Sequence, residues 1–429
     1  MTKQNALIAA TVVSLLAALP GVASAASPAP VPPSTPMGLT LRHVTYRSQL
    51  LWTRLADANG KPLYTFDSDT VGGAPTCVGA CTKDFEPYIS ARGAVATGDW
   101  TLVAGEGGRQ WAYQGKPLYR YTGQDPNKIK ETSTGDRGLV RTDGLTDPAS
   151  DAFSPKAGWR AAAFIPEPAN PTPAGIEMAS LPVANGYGFI LAQTKLPLYV
   201  MKSSQKNPNA WTPAYAPALG LPVGDFTIVM REDGKPQWAY KNQPLFTYND
   251  DHSDTDLSGA LVEKDAEPAL AYRHFQPRDI TVGFIPTRGP IMTTAKGMTV
   301  YTQARYSIMY GGRETRDGYR PDYNDGKAVG GKGCVDACLK TWTPVAAPAD
   351  AQSSGYWEVI TRPDGSKQWA YKGVALYTNK TDKKPGDTNG NNIHDVVFGE
   401  TNTPDFSVAV GDVRGAGAGF YWRTVTFFN

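Results

Sequence analysis

Gln110-Trp111-Ala112-Tyr113 is the stretch of this 429-residue sequence that decides its fold, because it occurs three times. The further copies are Gln237-Trp238-Ala239-Tyr240 and Gln368-Trp369-Ala370-Tyr371. A connection of three residues leads from each copy to a second apolar piece, such as Pro117-Leu118-Tyr119. The middle residues of these connections tolerate the positive φ of a tight hairpin turn; they are Gly115, Asn242 and Gly373. The stretch therefore predicts a β-hairpin with a Trp on its first strand.

Whole units repeat around this hairpin. Successive copies start 127 and 131 residues apart, and another hairpin precedes each copy, most clearly between Leu51 and Phe66. Short strands joined by many turns, in a chain with Gly 44 and Pro 35, predict an all-β fold of three tandem meander and hairpin units of about 125 residues. Unit 1 is expected at 38–166, unit 2 at 167–286 and unit 3 at 287–429. Separate barrels or sandwiches and a propeller-like ring both remain open.

The first residues are typical of an export signal. Lys3 precedes an apolar run from Leu7 to Leu19, and Ala23-Ser24-Ala25 fits the small-x-small cleavage pattern. We assign 1–25 to a signal peptide and 26–37 to a Pro-rich linker, and we expect a soluble exported protein, either periplasmic or secreted. No later stretch is long and apolar enough for a transmembrane helix. Lys+Arg 42 against Asp+Glu 40 excludes the strongly basic composition typical of nucleic-acid binding.

The stretch Tyr64-Thr65-Phe66-Asp67-Ser68-Asp69 carries a resemblance to a known family. It matches a Tyr-x-aromatic-x-x-Asp motif, and the chain resembles bacterial exported proteins and lipoproteins called the secreted repeat of unknown function. The resemblance makes Tyr64, Phe66 and Asp69 the family-motif residues and implies export, without implying an activity. Unit 2 departs from the motif, because Tyr199-Val200-Met201 stands where the aromatic residue and the aspartate should follow. No cysteine follows the apolar run, so we expect no lipid anchor.

The cysteines form two Cys-x3-Cys pairs, namely Cys77 with Cys81 and Cys334 with Cys338. In an exported protein they are expected to be oxidised, and a local disulfide in each pair is one interpretation. Unit 2 lacks both cysteines together, which favours pairing within each loop. The alternative is a thiolate metal site, for which copper is the metal that soft sulfur ligands favour, although no His or Met adjoins either pair. The C-x-x-C-H spacing of haem attachment does not occur.

Oxygen-bearing side chains at alternate positions suggest another metal site. Asp387, Asn389, Asn391 and Asp395 resemble part of a calcium-binding loop, although Asn392 replaces the expected Gly and no Glu stands at the twelfth position. An Asn-Gly turn explains the same residues without a metal. Calcium and copper are therefore the two cofactors that the sequence raises, and neither is assigned.

The repeated tryptophans Trp111, Trp238 and Trp369 also have two interpretations. They are either core residues, since Trp buries a large apolar area, or a row of exposed rings that binds glycan or peptide. Their recurrence in every unit favours the structural role.

No catalytic constellation is recognisable in the sequence. The histidines are scattered, and neither a G-x-S-x-G elbow nor an H-E-x-x-H pair occurs. We therefore expect an exported, non-enzymatic repeat protein of the cell envelope that acts as a scaffold or binding module for an envelope protein or a glycan. The alternatives are a metal-binding or redox-accessory periplasmic protein and a carbohydrate-active enzyme.

Overall fold

The computed structural model describes residues 33–46, 49–123, 153–166, 171–201, 207–253, 256–263, 265–285, 289–307, 334, 336–391, 393–395 and 418–425. Over these residues the protein is all-β and built of repeated units, which confirms the predicted fold class: its strands form seven sheets, and in two of these sheets one strand pairs outside the main strand order. The α-helix in these ranges is Ser258–Val262. No described helix is long and apolar enough to cross a membrane. The predicted signal peptide lies outside the described residues.

Unit 1 forms three sheets. Its strands are β1 (Leu39–Tyr46), β2 (Gln49–Asp57), β3 (Leu63–Phe66), β4 (Phe85–Pro87), β5 (Trp100–Gly105), β6 (Gly108–Tyr113), β7 (Lys116–Pro117), β8 (Tyr119–Tyr121) and β9 (Trp159–Ala161), with a 3-10 helix at Gly79–Lys83. β1 and β2 form an antiparallel hairpin, β4-β8-β3-β9 is a four-stranded sheet, and β5-β6-β7 is a meander.

Unit 2 repeats this order of strands, but its strands form two sheets rather than three. Its strands are β10 (Ile176–Leu181), β11 (Gly186–Leu191), β12 (Tyr199–Met201), β13 (Trp211–Pro213), β14 (Phe226–Met230), β15 (Pro236–Tyr240), β16 (Gln243–Tyr248), β17 (Ala266–Pro268) and β18 (Leu270–Arg273), with 3-10 helices at Pro182–Ala184 and Pro208–Ala210. The sheets are β10-β11-β18 and β14-β15-β16-β12-β17, with β13 paired to β16.

The remaining strands build unit 3. They are β19 (Ile280–Ile285), β20 (Gly289–Thr294), β21 (Val300–Ser307), β22 (Trp342–Pro344), β23 (Trp357–Thr361), β24 (Lys367–Tyr371), β25 (Val374–Asn379), β26 (Ile393–Asp395) and β27 (Ala418–Thr424), with a 3-10 helix at Asp336–Lys340. The sheets are β19-β20 and β23-β24-β25-β21-β27-β26, with β22 paired to β25. Residues 308–333, which are rich in Gly, Tyr and Arg, lie outside the described residues.

The same turn opens each unit. The backbone N–H of Leu39 donates to the carbonyl of Pro36, Ile176 donates to Pro173, and Ile280 donates to Pro277, at 3.3, 3.1 and 3.1 Å. The third turn lies before residue 286, the predicted boundary between units 2 and 3, and β19 pairs with β20 across that boundary. We therefore propose that unit 3 begins near Pro277. The boundary near residue 166 stays a prediction.

The repeated hairpins turn through two consecutive residues with positive φ. These angles are 47° and 75° at Gln114 and Gly115, 49° and 63° at Lys241 and Asn242, and 49° and 88° at Lys372 and Gly373. Both central residues of a type I′ turn need this conformation, which matches the twist of the flanking strands. The left-handed turns that the Gly and Asn positions predict are confirmed.

Hydrogen bonds explain why each hairpin begins with Gln. Nε2 of Gln110 donates to the carbonyl of Leu118, and Gln237 and Gln368 donate in the same way to Leu245 and Leu376, at 2.8, 2.7 and 2.7 Å. All three Gln residues are buried. The same carbonyls also accept a backbone N–H, from Tyr88, Ala214 and Val345 respectively, so the Gln amide adds a second hydrogen bond that joins the two strands of each hairpin.

Units 1 and 3 share a core. The largest cluster of buried side chains includes Leu41 and Trp100 from unit 1 and Trp357 and Tyr371 from unit 3. Across the same boundary, Nη2 of Arg42 lies 2.7 Å from Oε2 of Glu358, and both side chains are buried. Burial raises the pKa of Glu358 and lowers that of Arg42, while their mutual attraction opposes both shifts. Such a pair is costly to break, because one partner alone would be a buried unpaired charge.

The end of the predicted Pro-rich linker belongs to the folded body. Ser34 and Thr35 are buried, and the N–H of Ser34 donates to the carbonyl of Arg273 in unit 2. The hydroxyl of Ser354 in unit 3 donates to the carbonyl of Thr35. This segment therefore ties units 2 and 3 to the start of unit 1.

Candidate functional site

The family motif of unit 1 is part of the core. Tyr64 is buried on β3, and the ring of Phe66 stacks on Trp159 with centroids 4.5 Å apart. The carboxylate of Asp69 is buried and accepts three hydrogen bonds: from the hydroxyl of Tyr119 at 2.8 Å, and from the N–H and hydroxyl of Thr76 at 2.7 and 2.6 Å. The motif aspartate thus fastens the loop after β3 to β8.

Units 2 and 3 contain the same Tyr–Asp hydrogen bond, but there the Tyr belongs to the first half of the unit and the Asp to the second. The hydroxyl of Tyr199 on β12 donates to Asp251 at 2.5 Å, and that of Tyr301 on β21 donates to Asp382 at 2.7 Å. Each aspartate also accepts the backbone N–H of the residue seven positions later, as Asp69 does from Thr76; the donors are Ser258 and Asn389. Every unit therefore has one motif aspartate, either after its first hairpin or after its second.

The departure noted in unit 2 needs correction. The motif is missing after Tyr199, but Phe246-x-Tyr248-x-x-Asp251 supplies the same spacing in the second hairpin. Tyr377-x-Asn379-x-x-Asp382 does so in unit 3. A search for this spacing in both hairpins of every unit would have found Asp251 and Asp382, which sequence reasoning missed.

Electrostatics supports a structural role for these pairs. Burial raises the pKa of Tyr119, Tyr199 and Tyr301, and the hydrogen bond to the aspartate raises each further. Burial also raises the pKa of Asp251 to about 6, although the bond from Tyr199 opposes that shift. The phenols remain protonated donors at neutral pH. The aspartate side chains are buried and already hydrogen-bonded within the protein, so this arrangement holds the loops after the motif in place.

The cysteine loop of unit 1 starts beside its Tyr–Asp pair, and Cys334 of unit 3 belongs to the same buried cluster as Tyr301. Sγ of Cys77 lies 1.98 Å from Sγ of Cys81, and Sγ of Cys334 lies 1.93 Å from Sγ of Cys338, which are disulfide distances. Cys77 follows Thr76, the donor to Asp69, whereas Gly259 and Gly390 follow the equivalent donors in units 2 and 3. At both glycines an added Cβ would lie 2.7 Å from a Trp ring, so only unit 1 has room for a side chain there.

The candidate calcium ligands serve as local hydrogen-bond partners. Asp387 accepts the N–H groups of Lys383 and Lys384, and Oδ1 of Asn391 accepts the N–H of Thr424. The backbone of Asn389 donates to Asp382. The side chain of Asp395 lies outside the described part. No group of three or more His, Cys, Asp or Glu within the described residues is arranged to hold a metal ion. Calcium and copper binding stay predictions.

The repeated tryptophans lie inside the protein. Trp111, Trp238 and Trp369 have 3%, 4% and 3% of their surface exposed. Trp111 packs edge-on against Trp100, and Trp369 packs edge-on against Trp357. These rings are therefore not positioned as a surface that could stack on a glycan.

A buried polar cluster lies where the three units meet. Nε2 of His43 in unit 1 is 2.9 Å from the hydroxyl of Tyr356 in unit 3, which also hydrogen-bonds to Tyr187 in unit 2. Nδ1 of His274 is 2.7 Å from the hydroxyl of Ser34. Nζ of Lys372 lies 5.1 Å from the centre of the Tyr356 ring. Sequence reasoning missed this cluster, because its members come from distant parts of the chain.

Burial shifts the charges of this cluster strongly. It lowers the pKa of Lys372 to about 7 and that of His274 to about 3, and it lowers the pKa of His43 well below the usual range. The charge of Lys372 lowers the two histidine pKa values further. Both imidazoles are therefore neutral at neutral pH. Such pKa shifts occur at functional sites, but burial is their largest cause here.

A groove of about 640 Å³ opens beside His274. Its lining is mostly apolar and comes from the segment at Pro33–Met37, from unit 2 and from β19; among its members are Val183, Phe275 and Ile280. Arg273 and Arg278 also line it and are exposed, whereas no Asp or Glu is found among the lining residues that the structure describes. This volume is in the range of small-molecule pockets.

Unit 2 exposes a patch of large apolar side chains near β14, which we call the β14 patch. It consists of Tyr215, Leu219, Leu221 and Met230, with 46%, 94%, 75% and 68% of their surfaces exposed. The segment around Gly220 lies against Ile228 of β14, and Met230 pairs with Pro236 beside Lys235, whose Nζ is 5.5 Å from the Tyr215 ring. Several large exposed apolar side chains in one region are typical of a protein interface.

Comparison with known proteins gives a family model that matches two stretches of the chain. Residues 53–86 and 358–396 match the family model described as a secreted repeat of unknown function. Each match spans strands of one hairpin together with the loop that contains a motif aspartate, Asp69 in the first and Asp382 in the second. The matching model is the one that the sequence motif suggested, and it matches over these two stretches of the chain. A search of curated proteins and a search of solved structures found no match.

Proposed function

We propose that this chain is an exported, non-enzymatic binding module of the cell envelope that holds a partner protein at the β14 patch. The match to a family of secreted repeats supports export to the periplasm or beyond it. The observation that carries the proposal is the exposure of four large apolar side chains on a scaffold that does not need them. A metal-binding or redox-accessory role and a carbohydrate-active role stay predictions from the sequence.

Unit 3 provides the internal comparison. Its backbone follows the same course, because the bridge between Tyr215 and Gln237 recurs between Ala346 and Gln368. The residues equivalent to the β14 patch are small or polar and also exposed; they are Ala346, Asp350, Gln352 and Thr361. The fold is therefore compatible with polar residues at these positions. Exposing Leu219 and Leu221 to water brings unit 2 no stability, which favours a role in binding.

Site-specific cross-linking in the living cell tests this proposal. A photoreactive benzoylphenylalanine replaces Leu219 in one variant and Asp350, the equivalent residue of unit 3, in the matched control. We expect a discrete adduct of one partner at position 219 and none at position 350. Equal labelling at both positions, or no adduct at either, would reject the proposal. An adduct of twice the chain mass would identify a second copy as the partner.

The groove beside His274 supports a second candidate function, the binding of a small amphipathic anion. Its apolar lining suits a hydrocarbon or ring system, and among the described lining residues the two exposed arginines are the only charged ones. The side chains of Arg273 and Arg278 form no ion pair with any residue that the structure describes. A guanidinium group binds a carboxylate or sulfonate well.

Two matched probes test the groove. Anilinonaphthalene sulfonate carries an anionic group, and phenylnaphthylamine has the same ring system without it. We expect the sulfonate to bind about tenfold more tightly, and we expect Arg273→Gln with Arg278→Gln to remove that difference. The control Lys235→Gln alters a cation outside the groove. Equal affinity of the two probes for the unmodified protein would exclude this candidate.

A further inference from the structure

We infer that the partner at the β14 patch enters as an extended segment, which adds to the backbone of unit 2 at Pro222–Gly224 as a parallel strand. This inference rests on the proposed function and names the kind of partner that the surface takes. It is based on an interaction that the chain already makes with itself, between strand β1 and the equivalent backbone of unit 3.

In unit 3 the equivalent backbone holds strand β1 of unit 1. The N–H of Gly38 donates to the carbonyl of Ser353 at 2.9 Å. Gly355 uses both of its backbone groups: its N–H donates to the carbonyl of Leu39 at 3.0 Å, and its carbonyl accepts the N–H of Leu41 at 2.8 Å. The result is a parallel bridge between Thr40 and Gly355. Main-chain bonds of this kind supply the affinity in strand addition.

Unit 2 has the same backbone in the same conformation. The φ of Gly224 is 56° and that of Gly355 is 58°. Val223 and Phe226 exchange two backbone hydrogen bonds of 3.0 and 2.9 Å, and Ser354 and Trp357 exchange the same two at 2.9 and 3.0 Å. Pro222 stands in place of Ser353, which contributes only its carbonyl to β1, so the missing N–H of proline removes nothing from this surface.

These groups are available in unit 2. Pro222 and Gly224 are exposed, whereas Ser353 and Gly355 are buried beneath β1. Within the described residues, no backbone hydrogen bond engages the carbonyl of Pro222 or either backbone group of Gly224. Gly98 of unit 1 is exposed as well, with the Tyr272 ring 4.0 Å from where its Cβ would be. Unpaired backbone groups at an edge are a template for an incoming strand.

The surrounding side chains indicate the chemistry of the segment. On β1 the alternate residues Leu39 and Leu41 are buried against the core that units 1 and 3 share. The two residues that lie two and three positions before Gly224, Pro222 and Leu221, are apolar and exposed, and Met230 is exposed at the far end of β14. The surface therefore suits an extended segment with alternating apolar residues, since one face of a strand carries every second side chain.

Peptides that copy residues 36–44 of this chain are the probes, because their sequence already pairs with the equivalent backbone. Titration of the full-length protein uses the unmodified peptide, a peptide N-methylated at Leu41, and a peptide N-methylated at Thr40. The N–H of Leu41 donates to the carbonyl of Gly355 in unit 3. The backbone groups of Thr40 point to the opposite side of the strand, towards β2. We expect methylation of Leu41 to weaken binding about tenfold and methylation of Thr40 to leave it unchanged.

A protein variant confines the effect to unit 2. Leu219→Asp, Leu221→Gln and Met230→Thr together install the residues of unit 3, and we expect them to weaken binding of the unmodified peptide at least about tenfold. Equal affinity of the two methylated peptides, an unchanged affinity of the variant, or no saturable binding up to about 1 mM would overturn the inference. A discrete cross-link at position 219 alongside any of these results would leave the proposed function intact.

Discussion

The hydroxyl of Tyr301 donates a 2.7 Å hydrogen bond to Oδ2 of Asp382, which lies 81 residues further along the chain. Oδ1 of the same carboxylate accepts the backbone N–H of Asn389 at 2.9 Å. Both Tyr301 and Asp382 are buried, and unit 1 reproduces the arrangement with Tyr119 and Asp69. The motif aspartate therefore joins a strand from one half of its unit to a loop from the other half.

Removing the hydroxyl should weaken the fold measurably. We expect Tyr301→Phe to lower the free energy of unfolding by about 1.5–3 kcal/mol, because a buried carboxylate loses a hydrogen bond. Urea unfolding of Tyr301→Phe, Asp382→Asn and the double variant measures the coupling, which should exceed about 0.5 kcal/mol. Tyr215→Phe removes a half-exposed hydroxyl and is the control. Strict additivity of the two single changes would show that the bond contributes nothing.

The repeated tryptophans should dominate the stability of their hairpins. We expect Trp238→Ala to cost roughly 3–5 kcal/mol, since a large buried ring leaves a cavity that its neighbours fill only in part. Trp111→Ala and Trp369→Ala should behave alike, because the three rings are buried to the same extent. Denaturant unfolding measures the loss. A Trp238→Ala protein with the midpoint of the unmodified chain would contradict the assignment to the core.

Position 242 is the best place to test the left-handed turns. Asn242 has a φ of 63°, so Asn242→Gly should be tolerated, whereas Asn242→Val should cost about 1–2 kcal/mol in thermal unfolding. Gly115 is a poorer choice, because an added Cβ would lie 2.7 Å from Cγ1 of Val71 and 2.9 Å from the backbone nitrogen of Gly72. Equal effects of Gly and Val at position 242 would reject the conformational reason.

Local patterns explain why the hairpins could be predicted. A turn such as Gln114-Gly115 and its flanking strands are close in sequence, so residue spacing reveals them directly. The repeat reveals the number of units for the same reason. The motif at Tyr64 predicted the family, yet its structural meaning depends on Tyr119, which no local spacing connects to Asp69.

Contacts between units could not be predicted in this way. Arg42 and Glu358 are 316 residues apart, and their pairing depends on how unit 1 packs on unit 3. The polar cluster of His43, His274 and Lys372 has the same origin. Nothing in the neighbourhood of Lys372 in sequence distinguishes it from Lys241, which occupies the equivalent turn of unit 2 and is only half-buried. Burial by a distant part of the chain makes the difference.

Peptide mapping under non-reducing conditions tests the cysteine loops. We expect the pairs Cys77–Cys81 and Cys334–Cys338, because each pair lies at disulfide distance within one loop. Reduction should increase hydrogen exchange around residues 76–85 and leave the hairpins protected, since closing so short a ring contributes only about 2 kcal/mol. A peptide that links Cys77 to Cys338 would refute local pairing, and four free thiols would favour the metal site.

The burial of Lys372 should make stability depend on pH. Its pKa is about 7 in the folded protein and about 10.5 in the unfolded chain, so the unfolded chain binds the extra proton between these values. Stability should therefore rise as the pH increases from about 7 towards about 10, because folding must remove a proton that the unfolded chain binds less and less tightly relative to the solution as the pH rises. Below about pH 7 Lys372 is protonated in both the folded and the unfolded chain, and the full free-energy cost of burying its ammonium group remains.

Lys372→Gln should remove this dependence, and Gln is suitable because Gln114 occupies the equivalent turn position in unit 1 with nearly the same φ. We expect the variant to exceed the unmodified protein in stability near pH 7, by an amount on the order of a few kcal/mol, and the two to converge near pH 10. Urea unfolding across this range measures the difference. Lys241→Gln at the half-buried position of unit 2 is the matched control and should change the profile less. A constant difference between Lys372→Gln and the unmodified protein at every pH would show that Lys372 does not lose its proton in this range.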